Sequence, residues 1–155
     1  MVRWVDGVAG GAGAGLTSAG FFAAVPVAWL HETSLSAFFA QLAQALPPFH
    51  GAPVSPPLVA LGLALHFAVA IGFGVMYVAL ARKLRSMWRA PTSVLWGVGY
   101  GMAVWWMLND VAVPVTGAVN VQPLWEGLVG TVVCYGLVLS ELTTLAYRRR
   151  VSTAP

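Results

Sequence analysis

The stretch 57–81, PLVALGLALHFAVAIGFGVMYVALA, contains no lysine, arginine, aspartate or glutamate and stops against Arg82 and Lys83. At about 1.5 Å per residue, a helix of this length covers a ~30 Å hydrocarbon core. Helix is the required form, because lipid offers backbone amides no partners. Three more apolar runs resemble it, at about 8–30, 91–113 and 123–147. Pro57, Pro91 and Pro123 stand at the starts of runs, where a missing amide costs little. Pro26 falls inside the first run and should kink or shorten it. That run exceeds the ~7–15 apolar residues of a secretory leader, so it reads as a retained span.

Composition agrees. Of 155 residues, 59% are hydrophobic and 8% charged, against about 25% charged in soluble domains. So few charges cannot cover a water-facing surface of this size. The expected fold is all-α: a polytopic membrane protein, one domain over 1–155, with four transmembrane helices in two hairpins. The single cysteine, Cys134, lies in mid-span and allows no intrachain disulfide.

The net charge of +3 does not mark a nucleic-acid surface, because the basic residues sit in short separate clusters. Arg3 precedes the first run; Arg82, Lys83, Arg85 and Arg89 separate the second from the third; Arg148, Arg149 and Arg150 close the fourth. The connections 31–56 and 114–122 carry none. The positive-inside rule places both termini in the cytoplasm. In the longer connection, Leu35, Phe38, Phe39, Leu42 and Leu46 recur at three- and four-residue spacings. This predicts a short amphipathic helix on the outer membrane face, ended by Pro47 and Pro48.

Spans one and three are rich in small residues, with GxxxG pairs at Gly11/Gly15 and Gly97/Gly101. Glycines let two helix backbones approach and gain dispersion contacts. A phosphate-cradling loop would need a preceding strand, which the pattern does not provide. Spans two and four look alike, Gly62-Leu63 matching Gly127-Leu128 and Leu80-Ala81 matching Leu145-Ala146, as two hairpins of the same sense would.

Ionisable groups within spans are expensive and therefore candidates for function. His66 lies in the outer half of span two, open on one face through Gly62 and Ala70. Glu141 lies in the inner half of span four beside Ser140, Thr143 and Thr144. Each has a structural reading: a neutral histidine hydrogen-bonded across the bundle, and a carboxyl paired with Arg82, Arg85, Arg148 or nearby hydroxyls. Each also has a functional one, as a proton-carrying group. His31, Glu32, Asp110 and Glu126 gather near the outer interface. They read as solvated caps, or as an outer-face cluster able to hold a divalent metal. No pair has helical ligand spacing, and no catalytic or cofactor motif is present.

From His66 to Glu141, about half of the chain, the sequence resembles the YagU-like family of bacterial inner-membrane proteins. The resemblance is carried by His66-Phe67, Gly72-Phe73-Gly74, Tyr77, Gly97/Gly101, Pro114…Gly117 and Gly127…Gly130…Tyr135-Gly136. It implies a multi-pass inner-membrane protein linked to acid tolerance. Some members carry a second histidine where this chain has Thr131, so a paired-histidine function does not transfer. Two functions remain open: a non-enzymatic partner of other membrane helices, as accessory subunit or homo-oligomer, and an oligomeric proton or small-solute pathway through His66 and Glu141.

Overall fold

The computed structural model describes residues 3–25, 34–88, 92–112 and 124–152. Among these the chain is helical throughout, without a strand. Helix α1 is Trp4–Phe22 and α2 is Leu35–Gln44; a 3-10 turn, Pro47–Phe49, leads to α3, Pro56–Lys83. A second 3-10 turn, Arg85–Trp88, precedes α4, Thr92–Met107, which widens into a π turn at Leu108–Ala112. The last helical stretch is α5, Leu124–Thr131, a π turn at Val132–Leu137, and α6, Val138–Ser152. Among the described residues three helices are long and apolar enough to cross a membrane: Trp4–Val25, Pro56–Lys83 and Trp125–Ser152. Helix α4 proper has 16 residues, and the π turn that extends it carries Asn109 and Asp110.

Local chemistry sets the ends. The Arg3 amide donates to Asp6 Oδ2 at 2.8 Å, so an acidic side chain closes the first turn of α1. Ser34 caps α2, its Oγ accepting from the Ala37 amide at 3.1 Å. Pro56 and Pro57 open α3, and Arg82 and Lys83 face the carbonyl end of its dipole. Gly51, with φ of 71°, turns the chain between the first 3-10 turn and α3.

Two glycine seams hold the bundle together. In the first, α1 lies antiparallel on α3. A Cβ added to Gly11 would come within 2.6 Å of the Ala70 carbonyl oxygen, and one on Gly7 within 2.8 Å of the Gly74 oxygen. Gly74 packs back between Gly7 and Gly11, and Gly15 sits on Ala70 Cβ. In the second, α4 lies antiparallel on the last helical stretch. Gly136 packs between Gly97 and Gly101, while Gly101 meets Val132 Cα and the Thr131 oxygen.

The two seams match nearly atom for atom. Gly136 meets the Gly97 oxygen and the Gly101 N and Cα as Gly74 meets the Gly7 oxygen and the Gly11 N and Cα. The structural counterparts of Gly97 and Gly101 are therefore Gly7 and Gly11, also four residues apart, rather than Gly11 and Gly15. Gly74 corresponds to Gly136 and Ala70 to Thr131. The extra residue between the latter pair is taken up by the π turn at Val132–Leu137, since a π turn inserts one residue into an α-helix. The same turn lets one helical stretch point Gly130 at Phe22 of α1 and Gly136 at α4.

A second face of α1 meets α6, with Gly10 against Leu139 and Thr143 and Gly13 against Leu142. At one end of this contact Arg150 pairs with Asp6, Nη1 donating to Oδ2 at 2.8 Å. At the same end the Arg82 guanidinium stacks 4.7 Å over the Trp4 ring. Thus the start of α1 and the ends of α3 and α6, with the basic residues they carry, share one end of the bundle.

Helix α2 forms within the connection between the first two long helices. Its buried residues are Phe38, Phe39, Ala40 and Ala43, and it packs on α3, while Leu35 is exposed. Gly62 makes this docking possible, because a Cβ there would run into the Phe39 carbonyl. Phe22 and Phe38 stack with ring centroids 4.9 Å apart, tying α2 to the far end of α1.

Candidate functional site

The candidate polar groups lie on and between these helices at several depths. His66, on α3, is held where α1, α2 and α3 meet. Its Nε2 lies 2.9 Å from the Gly15 carbonyl oxygen and 3.4 Å from Ser18 Oγ. Ser18 Oγ itself donates to the Gly15 oxygen at 3.0 Å. The His66–Gly15 bond requires the Nε2–H tautomer, which leaves Nδ1 as the ring's only lone pair. Phe39 and Phe67 meet the imidazole edge-on, with centroids 5.9 and 5.5 Å away. The ring is thus a cross-helix pin just beyond the Gly15–Ala70 contact. His66→Phe should keep the aromatic packing and lower stability by about 1 kcal/mol, the worth of one intramembrane hydrogen bond. Reversible unfolding in mixed micelles would measure it.

Below His66 come three tyrosines absent from the sequence-based site. Tyr135 Oη donates to the Ala70 carbonyl oxygen at 2.6 Å, and Tyr100 Oη to the Phe73 oxygen at 2.6 Å. Tyr77 is fully buried, its ring 5.0 Å from that of Tyr100, and its hydroxyl has no hydrogen-bond partner among the described residues. These phenols meet α3 one turn after another, within a core that includes Ala14, Phe73, Val104 and Leu139. Mid-span tyrosines were the available signal, but only the fold shows which carbonyls they reach.

Glu141 lies nearer the other end of the bundle than His66, next to Ser140, which packs on Gly97 of α4. Its Oε1 is 3.5 Å from Ser93 Oγ, while Ser140 Oγ donates to the Ser93 carbonyl oxygen at 2.6 Å. Ser93, Ser140, Thr143 and Thr144 are buried, whereas Glu141 itself is exposed on the outward side of α6. Of the three arginines expected to pair with it, Arg85 has a side chain that falls outside the described residues. Arg82 is stacked on Trp4, and Arg148 lies two helical turns away on α6.

Of the expected outer-face cluster, Asp110 and Glu126 fall within the described residues. His31 and Glu32 fall outside them. Asp110 is exposed in the π turn after α4, and Glu126 is completely buried. The expectation of a solvated cap at Glu126 is therefore corrected. Glu126 shares a face with Gly130, one turn on, and that face is pressed against α1 through Phe22. No three histidine, cysteine, aspartate or glutamate residues among those described are placed to hold a metal ion.

No family model, curated protein or solved structure matches this chain. The YagU-like resemblance therefore stands on the residues that carry it, and the functional reading rests on the geometry.

Proposed function

We propose that this is a four-span protein of the bacterial inner membrane, with both termini cytoplasmic, that works by packing against other membrane helices as an accessory subunit or homo-oligomer. Helix α4 with its π turn is the fourth span, and α2 lies at the outer face. The observation that carries this reading over a proton pathway is where the tyrosine hydroxyls end. A proton wire needs groups that accept one proton while releasing another. Tyr135 and Tyr100 donate to backbone carbonyls, which cannot pass a proton on. Between His66 and Glu141 the phenols therefore fasten helices together. The same-end grouping of Arg3, Arg82, Lys83 and Arg148–Arg150 supports the topology through the positive-inside rule. The YagU-like resemblance makes acid tolerance the physiological setting.

Two measurements test this. In a Cys134→Ser background, an impermeant thiol reagent added to intact cells should label Ser55→Cys, and should label Ser152→Cys only after permeabilisation. The reverse pattern would overturn the topology. Native mass spectrometry from mild detergent should then show an oligomer or a complex. A bare monomer that conducts protons in liposomes, with flux lost in His66→Ala or Glu141→Gln, would favour the pathway instead.

A further inference from the structure

The end of the bundle where α1 begins and α3 and α6 finish carries Arg3, Arg82, Lys83 and Arg148–Arg150. Asp6 stands among them, already held by the Arg150 guanidinium and the Arg3 amide. The Arg3 guanidinium lies near enough to the same carboxylate to act on it. Like charges gathered so closely repel one another unless an anion joins them. Arg82 is placed differently. Its guanidinium rests 4.7 Å over the half-exposed Trp4 ring and forms no ion pair among the described residues. A cation–π contact uses the flat face of a guanidinium and leaves the N–H donors at its edge available, in the fork that fits a phosphate. Val8, one turn along α1 from Trp4, is exposed, and Ala79, one turn before Arg82 on α3, is half-buried. Both are apolar, so the surface beneath the two rings suits an acyl chain.

Building on the membrane-spanning reading, we propose that Arg82 on its Trp4 platform, with Arg3 beside it, binds the phosphate of an anionic phospholipid in the leaflet at this end. Charge complementarity selects this occupant. A zwitterionic headgroup brings an ammonium that the surrounding guanidiniums repel, and the nearby carboxylate that would receive it is taken by Arg150. An anionic headgroup brings only the phosphate, which accepts charge-assisted hydrogen bonds from Arg82 and Arg3. The indole holds the Arg82 side chain in place, so less freedom is lost when the phosphate arrives. Because Trp4 opens α1 and Arg82 closes α3, the lipid bridges the outer edge of the first glycine seam at its basic end.

The test reconstitutes the full chain in vesicles of equimolar phosphatidylglycerol and phosphatidylcholine with the same acyl chains. The protein is extracted in mild detergent and washed, and mass spectrometry quantifies the lipid it retains. Phosphatidylglycerol should be enriched about tenfold, as expected for two basic residues at a membrane surface. Arg82→Gln should lower the enrichment about fivefold, and Trp4→Leu should lower it by a smaller factor. Arg148→Gln removes the same charge from the side of α6 opposite Arg150, and should change it less than about twofold. Inorganic phosphate in large excess during the wash should leave the phosphatidylglycerol in place. Equal retention of the two lipids, enrichment that survives in both Arg82→Gln and Trp4→Leu, equal losses in Arg82→Gln and Arg148→Gln, or displacement by inorganic phosphate would each overturn the proposal. Failure of the membrane reading would look different: the protein would leave native membranes in an alkaline carbonate wash. A protein that resists the wash yet shows no lipid preference refutes only the inference.

Discussion

Gly74→Val is expected to be the most damaging single substitution in the bundle, lowering stability by about 3 kcal/mol or more and weakening the α1–α3 seam. The reason is geometric. A Cβ at Gly74 runs into the Gly7 carbonyl oxygen and comes within 2.7 Å of Gly11 Cα. Both obstacles are backbone, so no side-chain rotation relieves the clash and the helices must separate. Separation costs more than the contact itself. Tyr135 and Tyr100 of the other hairpin bond to α3 carbonyls, and α1 carries the Asp6 and Gly10 contacts to α6. Gly72→Val is the control, because open space surrounds that glycine on the same helix. Its effect should stay within about 0.5 kcal/mol. Thermal or SDS unfolding of the two variants in one detergent gives the comparison, and equal losses would show that the seam does not hold the bundle.

The second large effect is local. Gly62→Ala should lift α2 from α3 while leaving the rest of the fold in place. The added methyl runs into the Phe39 carbonyl and comes within 3.2 Å of Phe39 Cα, again backbone that cannot step aside. Helix α2 has ten residues, too few to persist alone. Once undocked it should fray and expose Phe38, Phe39 and Ala43. Hydrogen exchange over 35–44 should then rise at least tenfold, with exchange in the core of α3 unchanged. Protection over 35–44 equal to that of the parent protein would refute this account of the docking.

How much of this could be read from the amino-acid sequence differs by feature. The long apolar helices are legible because hydropathy and length act along the chain and need no partner. The charge clusters are legible too, and they meet at one end of the bundle. Gly97 and Gly101 are found by spacing alone. On α1 spacing leaves two choices, Gly7/Gly11 and Gly11/Gly15, and only the fold shows that the first is the counterpart; on the helix facing α4 the register is offset by a π turn that no residue pattern in VVCYGL announces. The likeness of Gly62 to Gly127 is misleading for the same reason. Gly62 receives the α2 backbone, whereas Gly127 faces the Trp105 indole. His66 was visible as a costly polar group, but its Gly15 partner lies 51 residues away. Glu126 reads as solvated because it sits near the end of an apolar run, whereas in the fold it is buried. The tyrosine hydroxyls are not legible, because a phenol in an apolar segment carries no signature of the carbonyl it will find.

The Asp6–Arg150 pair has a consequence for biosynthesis. Asp6 is made before its cation, which lies 144 residues further along the chain. The α1–α3 seam can zip as soon as α3 has entered the bilayer, but the carboxylate at the start of α1 must wait until α6 has been made. This end of the bundle therefore closes only after every helix between the two residues is in place. A product truncated before Arg150 would keep its glycine seams yet leave Asp6 without its counter-ion, and that defect is one a quality-control protease could read.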